Sequence, residues 1–258
     1  MSVALVTGAA RRVGREMALY LGRRGYDVAV HYANSRAEAE ATAADIRASG
    51  VNARAFSADL LDPEQTAALI PGVTDAMGSV TVLVNNASIF EPDDIHSATM
   101  ESWDRHLGSN LRAPFQLMQA FAAQAPKARA DEMGEPVASG LVVNIVDQRV
   151  LKPTPDFMTY SLAKAGLWAL TRTAAQALAP DIRVNAIGPG PTLAGSRQTE
   201  ANFARQRAAT VLGRGSNTSD ISAALGYFLD AKAVTGQLLC VDGGQHLVWQ
   251  TADLLGDE

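Results

Sequence analysis

Short runs of apolar, often β-branched residues alternate along this chain with longer stretches whose apolar positions recur at helical spacing. The first run, Val3-Ala4-Leu5-Val6-Thr7, predicts a strand, and Val13–Arg24 predicts a helix that Gly25 stops. Further strands are expected at Asp27–Tyr32, Val51–Ala58, Val80–Val84, Leu141–Val146, Arg183–Ile187 and Gln237–Val241. Helices are expected at Arg36–Ser49 (ended by Gly50), from Pro63 behind an Asp62 N-cap, at Met100–Gln124 with an interruption or kink near Pro114, at Phe157–Leu178 and at Ser219–Leu229. Strands that are apolar on both faces and separated by helices require a parallel sheet covered on both sides. Right-handed crossovers then give a doubly wound α/β sheet of about seven strands, with residues 1–258 forming a single domain. Such sheets bind ligands at the carboxyl ends of their strands, so chemistry is sought just after each strand. Two stretches break the rhythm. Pro126–Gly140 reads as a surface loop, and Gly188–Gly215 is long enough, at the carboxyl edge, to be a substrate lid.

Composition narrows the function classes. With 47% hydrophobic and 19% charged residues, 258 positions can bury a full core. The formal net charge of −5 argues against nucleic acid as a partner, because phosphate binding wants a basic face. The single cysteine, Cys240, excludes an intrachain disulfide and reads as a buried core thiol; nothing suggests an oxidising compartment. Met1–Gly8 lacks a basic n-region and reads as a strand, not a signal peptide, and no run is long and apolar enough to span a bilayer. A cytoplasmic protein without a membrane partner is therefore expected. His31, His96, His106 and His246 show no ligand spacing, so no metal site is expected.

The first strand-to-helix turn is Thr7-Gly8-Ala9-Ala10-Arg11-Arg12-Val13-Gly14. Small residues there let the backbone approach a pyrophosphate, and helix N–H groups face its charge. An ordinary strand–helix turn would share the glycines, but two arginines have no packing reason to be present. The second strand leads into Tyr32-Ala33-Asn34-Ser35-Arg36, where an NAD site usually carries a carboxylate for the ribose hydroxyls. None is present. Arg12, Ser35 and Arg36, with Asn34, instead offer donors to a 2′-phosphate, which favours NADP(H); Arg36 alone would equally suit a solvated helix start. Asp59-Leu60 follows the third strand, where an Asp can meet an adenine amino group or simply close an Asx turn. Asn85-Asn86-Ala87-Ser88 follows the fourth, and adjacent Asn residues tolerate unusual backbone angles and can bridge strands. Tyr160 and Lys164 are four apart, on one helix face. An ammonium beside a phenol lowers the phenol pKa and tunes Tyr160 as a proton donor.

Taken in order, Thr7-Gly8 through Gly14, Asn85-Asn86-Ala87, Asn110, Tyr160 with Lys164, Gly188-Pro189-Gly190 and Val241-Asp242-Gly243-Gly244 resemble the short-chain dehydrogenase/reductase family across essentially the whole chain. The resemblance implies a Rossmann-type fold, NAD(P) as cofactor and a homotetramer. It implies Tyr160 as acid/base, Lys164 on the nicotinamide ribose and Asn110 holding a water in a proton relay. The matching segments around Gly8, Arg11, Val13, Asn86, Ala87, Ser88, Pro189 and Gly190 are the implied cofactor contacts.

Two departures from the common pattern are informative. Arg12 stands where the middle glycine is expected, and Asp147 stands thirteen residues before Tyr160, where the family usually has a serine. Both are similar to the pteridine reductases and bacterial dihydromonapterin reductases, as is the string Asn85-Asn86-Ala87-Ser88-Ile89-Phe90. That likeness implies Phe90 stacking on a pterin ring, Ser88 lining the pocket, and Arg12 reaching toward substrate and cofactor phosphate. The chemistry is consistent: pterin ring nitrogens must gain protons, which an acid at position 147 can supply or relay, and Phe90 offers a flat apolar face. A loop side chain packed on the core (Phe90) and a cap or turn residue (Asp147) are the plainer alternatives.

The leading expectation is an NADPH-dependent reductase of a dihydropteridine, of the dihydromonapterin, dihydrobiopterin or dihydrofolate type. A general carbonyl reductase or alcohol dehydrogenase is the second. A non-catalytic NADP-binding regulator is the third, and retention of Tyr160, Lys164 and Asn110 weighs against it. The Pro191–Leu212 loop and the His246–Glu258 tail are expected to shape specificity, with Trp249 suited to a subunit interface or to the pocket.

Overall fold

A computed structural model describes residues 2–195 and 197–250. Seven strands form one all-parallel sheet: β1 (Val3–Val6), β2 (Asp27–Tyr32), β3 (Ala53–Ser57), β4 (Val80–Asn85), β7 (Gly140–Ile145), β8 (Ile182–Pro189) and β9 (Leu238–Val241). Between β4 and β7 lie β5 (Arg129–Ala130) and β6 (Pro136–Val137), a two-stranded antiparallel ladder set apart from the main sheet. The order across the main sheet is β3-β2-β1-β4-β7-β8-β9. The chain therefore winds outward from β1 in one direction and from β4 in the other. The topological switch, where such sheets bind ligands, lies between β1 and β4.

The eight helices of the described residues are α1 (Arg12–Arg23), α2 (Arg36–Arg47), α3 (Pro63–Met77), α4 (Met100–Leu107), α5 (Ala113–Gln124), α6 (Met158–Ala177), α7 (Glu200–Ala208) and α8 (Thr218–Asp230). They cover both faces. Met17, Leu21, Ile46, Leu225 and Phe228 from α1, α2 and α8 pack on one side of the sheet. Leu69, Ile70, Leu117, Phe121 and Ala174 from α3, α5 and α6 pack on the other. Because the central strands β1, β4 and β7 are buried from both sides, their sequences read as nearly continuous apolar runs, whereas the edge strands β3 and β9 are partly exposed. Among the described residues no helix is long and apolar enough to cross a membrane.

Some local features differ from the sequence expectation. The Asp62 carboxylate does cap α3, accepting from Glu64 and Gln65 N–H. The helical stretch from Met100 to Gln124 is interrupted just ahead of Pro114, as expected, by a π-turn, Gly108–Arg112, closed by the Ala113 N–H on the Gly108 carbonyl. Pro114 follows in the first turn of α5, where the backbone runs on in helical geometry through Arg112 and Ala113, so its missing N–H takes one bond out of the run next to the π-turn. The Pro126–Gly140 loop holds the β5–β6 ladder, and the Gly188–Gly215 segment holds α7. Neither was visible as periodicity because the strands are two residues long and no residue of α7 is buried. Cys240 is half-buried, not a core thiol; β9 is the sheet edge, and burial with Asp242 and Asp147 nearby pushes its thiol up to about 12. Trp249 is exposed, and residues 251–258 of the expected specificity tail lie outside the described residues.

Candidate active site

The turn between β1 and α1 is built for close backbone approach. Gly8 has φ +62, and a Cβ on Gly14 would lie 2.3 Å from the Gly8 carbonyl oxygen and 2.4 Å from Asn86 Nδ2. Only glycine fits at position 14. Arg11, the α1 N-cap, makes no side-chain cap bond, which leaves the first-turn N–H groups directed at the turn. The turn is tied to the next strands. The Gly8 N–H donates to His31 Nδ1 (3.0 Å), and Asn86 Nδ2 donates to the carbonyls of Thr7 (2.8 Å) and Gly8 (3.2 Å). The Thr7 hydroxyl accepts from the N–H groups of Asn86 and Ala87. Asn85 Nδ2 donates to Asn144 Oδ1 (2.8 Å), whose own Nδ2 donates to Thr171 on α6. The adjacent asparagines thus bridge strands, as expected of them.

The expected 2′-phosphate donors separate in the structure. Ser35, N-cap of α2, makes no side-chain cap bond, and Arg36 opens that helix, exposed beside Asn34. Arg12 does not join them. It adopts φ +56 in the middle-glycine position, and its guanidinium donates to the carbonyls of Leu193 (3.2 Å) and Ala194 (3.1 Å) on the segment after β8. Here Arg12 straps the glycine turn to the candidate lid. Arg11 pairs loosely with Glu38 at 3.5 Å. Asp59 closes an Asx turn on Leu61 N–H (2.9 Å), while Leu60 is a core side chain. Val13, Tyr32 and Ala87 are half-buried against the two core clusters. Gly190, after Pro189, donates to the Val241 carbonyl and has no room for a Cβ beside Asp242.

At the ends of β7 and α6 the reactive groups converge. Tyr160 donates its hydroxyl proton to Asp147 Oδ2 at 2.9 Å. Asp147 also caps the short turn that follows, accepting the Arg149 N–H on Oδ1 (2.9 Å), so it is both turn residue and partner of the phenol. Lys164, 2% exposed, donates to the Ile145 carbonyl (2.8 Å), and its Nζ lies 5.7 Å from the centre of the Tyr160 ring. Burial lowers the Lys164 ammonium to about 8, although Asp147 pulls it upward. Burial raises the Asp147 carboxyl above its usual range against the bonds from Arg149 and Tyr160. Burial, then the Asp147 charge, raises the Tyr160 phenol well above its usual range. The expectation that Lys164 lowers the phenol pKa is therefore corrected. The ammonium faces a carbonyl, and the carboxylate, not the ammonium, touches the hydroxyl.

Asn110 sits in the π-turn, fully buried, with both ends of its amide spent on the Ile89 backbone: Oδ1 accepts the Ile89 N–H (2.9 Å) and Nδ2 donates to its carbonyl (2.8 Å). A water held there would have to meet the backbone of the turn. Ser88 is exposed, its hydroxyl 3.3 Å from the Ile89 carbonyl. Phe90 is 44% exposed, so it is not a packed core residue. Its ring stacks on Phe157 (4.2 Å, 7° between planes) and meets Tyr160 edge-on at 4.7 Å. Arg197, from the lid segment, donates to the Phe90 carbonyl (2.9 Å).

Sequence reasoning missed Phe157, Arg149, His31 and Arg197. Phe157 carried a usable signal, since it stands three residues before Tyr160, at the entry to the helix that carries it. Arg149, whose guanidinium lies 5.1 Å from the Phe157 ring centre, and Arg197 reach the site through turns with no periodicity to read.

The short chain dehydrogenase family model matches residues 2–204. Among solved structures, FolM alternative dihydrofolate reductase 1 from Brucella suis, in complex with NADP, is 42% identical, with a TM-score of 0.90 over 98% of this chain and 97% of that one. Pteridine reductase 1 of Leishmania tarentolae is 33% identical over 282 aligned residues, covering 95% of this chain and 96% of that protein. The 3-oxoacyl-(acyl-carrier-protein) reductase FabG of Staphylococcus aureus is also 33% identical, over 249 residues, covering 95% and 98%.

Proposed function

Because this chain belongs to the short-chain dehydrogenase family, we propose that it is an NADPH-dependent reductase of dihydropteridines, of the dihydromonapterin, dihydrobiopterin or dihydrofolate type. The observation that carries this reading is the 2.9 Å bond from the Tyr160 hydroxyl to Asp147, in a cluster with the exposed Phe90 ring. A carboxyl group can exchange a proton with a ring nitrogen or with the phenol that serves it; a serine hydroxyl at that place can only donate and accept without titrating. The NADP-bound Brucella relative and the Leishmania pteridine reductase support the same substrate class.

The residues present fit a dinucleotide phosphate. Gly14 keeps open a cradle that a Cβ would fill, and uncapped N–H groups of α1 face it. Ser35 and Arg36 at the N-terminus of α2 would hold a 2′-phosphate by charge-assisted bonds. Bound there, NADPH supplies the hydride. The protein supplies the proton and the geometry. Tyr160 carries its proton near neutral pH, and its hydroxyl, held on Asp147, is the group placed to give one. Asp147 orients that hydroxyl; burial raises its carboxyl above the usual range, so it can take up a proton from solvent and pass it to the phenolate left after transfer. Lys164 stays mostly charged at pH 7 and compensates negative charge developing on the phenol oxygen. Phe90 offers a ring face for a planar substrate.

A general carbonyl reductase is the second reading, favoured by the equal identity to the Staphylococcus acyl-carrier-protein reductase. Steady-state NADPH oxidation with dihydrobiopterin, dihydromonapterin and dihydrofolate, against a panel of ketones and 3-oxoacyl thioesters, separates the two. The dihydropteridines should show the higher kcat/KM. A thioester or ketone exceeding all of them by tenfold would overturn the proposal.

A further inference from the structure

The loop carrying Phe90 and the helix carrying Tyr160 are far apart in sequence, yet three buried polar side chains lock them together. Asp93, His106 and Thr159 are 7%, 0% and 2% exposed. The first of them completes α6. That helix starts after Phe157, a non-glycine residue in the left-handed region (φ +57), which provides no side-chain cap. The first-turn N–H groups of a helix need partners from elsewhere, and Asp93 supplies them from across the fold. Its main-chain carbonyl accepts from the N–H groups of Phe157 (2.7 Å) and Met158 (3.3 Å). Its carboxylate accepts from the Thr159 N–H (3.1 Å) and from the Thr159 hydroxyl. A carboxylate here also sits at the positive end of a 20-residue helix.

His106 determines which way this network points. Its Nε2 lies 3.1 Å from the Glu91 N–H, which can only donate, so Nε2 must be the unprotonated nitrogen. The proton is therefore on Nδ1, which donates to Thr159 Oγ1 at 2.7 Å. Thr159 must then give its own proton to Asp93. The Ser102 hydroxyl adds a bond to the same carboxylate oxygen (3.1 Å). Every member is satisfied in one orientation. The charged and titratable groups around the imidazole are the Asp93 carboxylate, Glu91 in its salt bridge with Arg105 (2.8 Å), and the Tyr160 phenol, whose ring meets the imidazole edge-on at 6.1 Å. Burial pushes the imidazole below its ordinary value against the pull of both carboxylates. Protonation at Nε2 would set two donors against each other at Glu91.

We propose that Asp93, Thr159 and neutral His106 act as a positioning set that holds the Phe90 loop and the Tyr160 helix in register, so that the ring face for the substrate and the proton donor keep one relative geometry. None of the three is hydrogen-bonded to the Tyr160 hydroxyl or to Asp147. The choice of assay substrate rests on the dihydropteridine reading; the positioning set itself does not.

The test pairs Thr159→Val, which keeps the shape and removes the hydroxyl, with Thr159→Ser, which restores it. Thr159→Val should raise KM for dihydrobiopterin and lower kcat, with kcat/KM down roughly tenfold to 10²-fold, since misplacements of about 1 Å cost that much. NADPH affinity should stay within about twofold, because the dinucleotide turn lies elsewhere, and Thr159→Ser should recover to within about threefold of wild type. Unchanged kcat/KM in Thr159→Val, or an equal loss of NADPH affinity, would overturn the proposal. A second measurement needs no substrate. In protein labelled with ¹⁵N-histidine, His106 should give the signal of an unprotonated Nε2 and a protonated Nδ1 at pH 7; the opposite tautomer, or a cation, would overturn it too. If the wild type reduces no dihydropteridine, the substrate reading fails. The kinetic arm then runs on whichever carbonyl it does reduce, and the histidine signal stands independently.

Discussion

His31 makes the dinucleotide turn sensitive to acid by an amount that can be worked out. It lies on β2, 1% exposed, with Nδ1 accepting the Gly8 N–H at 3.0 Å and Nε2 3.0 Å from the Ala58 carbonyl. An acceptor on one side and a donor on the other require the neutral Nε2–H form. Burial pushes this imidazole down to about 4, against opposing pulls from the Ala58 carbonyl and the Asp59 charge; its ordinary value is 6.5. Between those values the unfolded chain binds a proton that the native state refuses. The native state thus keeps its full advantage above pH 7 and loses it as pH falls toward 4. The whole interval is worth roughly 3 kcal/mol, and about 2 kcal/mol of it should be gone by pH 5. That is a large share of a typical stability of about 5–15 kcal/mol. Urea unfolding at pH 7 and pH 5 isolates the effect when wild type is compared with His31→Asn, whose amide oxygen can still accept from Gly8 but cannot titrate. Wild type should lose about 2 kcal/mol more than the variant over that range, because the carboxylates they share cancel in the difference. Equal losses would show that His31 is not the group that resists protonation.

The remaining expectations concern the site. Tyr160→Phe keeps the ring and removes the acid, so NADPH binding should survive while kcat falls by roughly 10²–10⁴, and wild-type turnover would refute the role. Asp147→Asn and Asp147→Ser should each cut dihydropteridine turnover by at least about tenfold with little change in NADPH affinity; full turnover in Asp147→Ser would make the carboxyl group incidental. Gly14→Ala must push apart the Gly8 carbonyl and Asn86, so NADPH affinity should fall by more than about tenfold despite the better helix propensity of alanine, as titration calorimetry would record. Arg36→Ala should remove a charge-assisted bond worth about 1.5–3 kcal/mol and shrink the NADPH-over-NADH preference by roughly tenfold or more; an unchanged ratio of kcat/KM values would place the 2′-phosphate elsewhere.

Features that depend on local pattern were legible in the sequence, and those that depend on distant partners were not. The buried strands could be read because a two-sided sheet makes them apolar throughout, and the Asp62 cap because a cap acts on the next turn. Tyr160 and Lys164 could be paired because a helix repeats nearly every four residues. Asp93 could not be recognised as the cap of α6, since it lies 66 residues from Thr159. Arg12 could be singled out but not aimed: its partners, Leu193 and Ala194, are carbonyls more than 180 residues away, and any residue would present a carbonyl there. The π-turn at Gly108–Arg112 left no periodic trace because it is a single turn inside a helical run.

Burial, which spacing does not encode, also decides the direction of the proton chemistry. From sequence alone, a lysine one turn from a tyrosine argues for a more acidic phenol. In the fold the Lys164 ammonium is aimed at the Ile145 carbonyl and stands off the ring, while the tyrosine hydroxyl touches a carboxylate. Removing all three groups from water disfavours each charged form, so the phenol and the carboxyl rise and the ammonium falls. The result is a cluster with its protons held on the phenol and drawn toward the carboxyl. A serine at position 147 would leave the phenol without a titrating neighbour to refill it. On the proposed dihydropteridine reading, the exchange of serine for aspartate puts a titrating group beside the proton donor, which reduction of a ring protonated at nitrogen would use and reduction of a simple carbonyl would not.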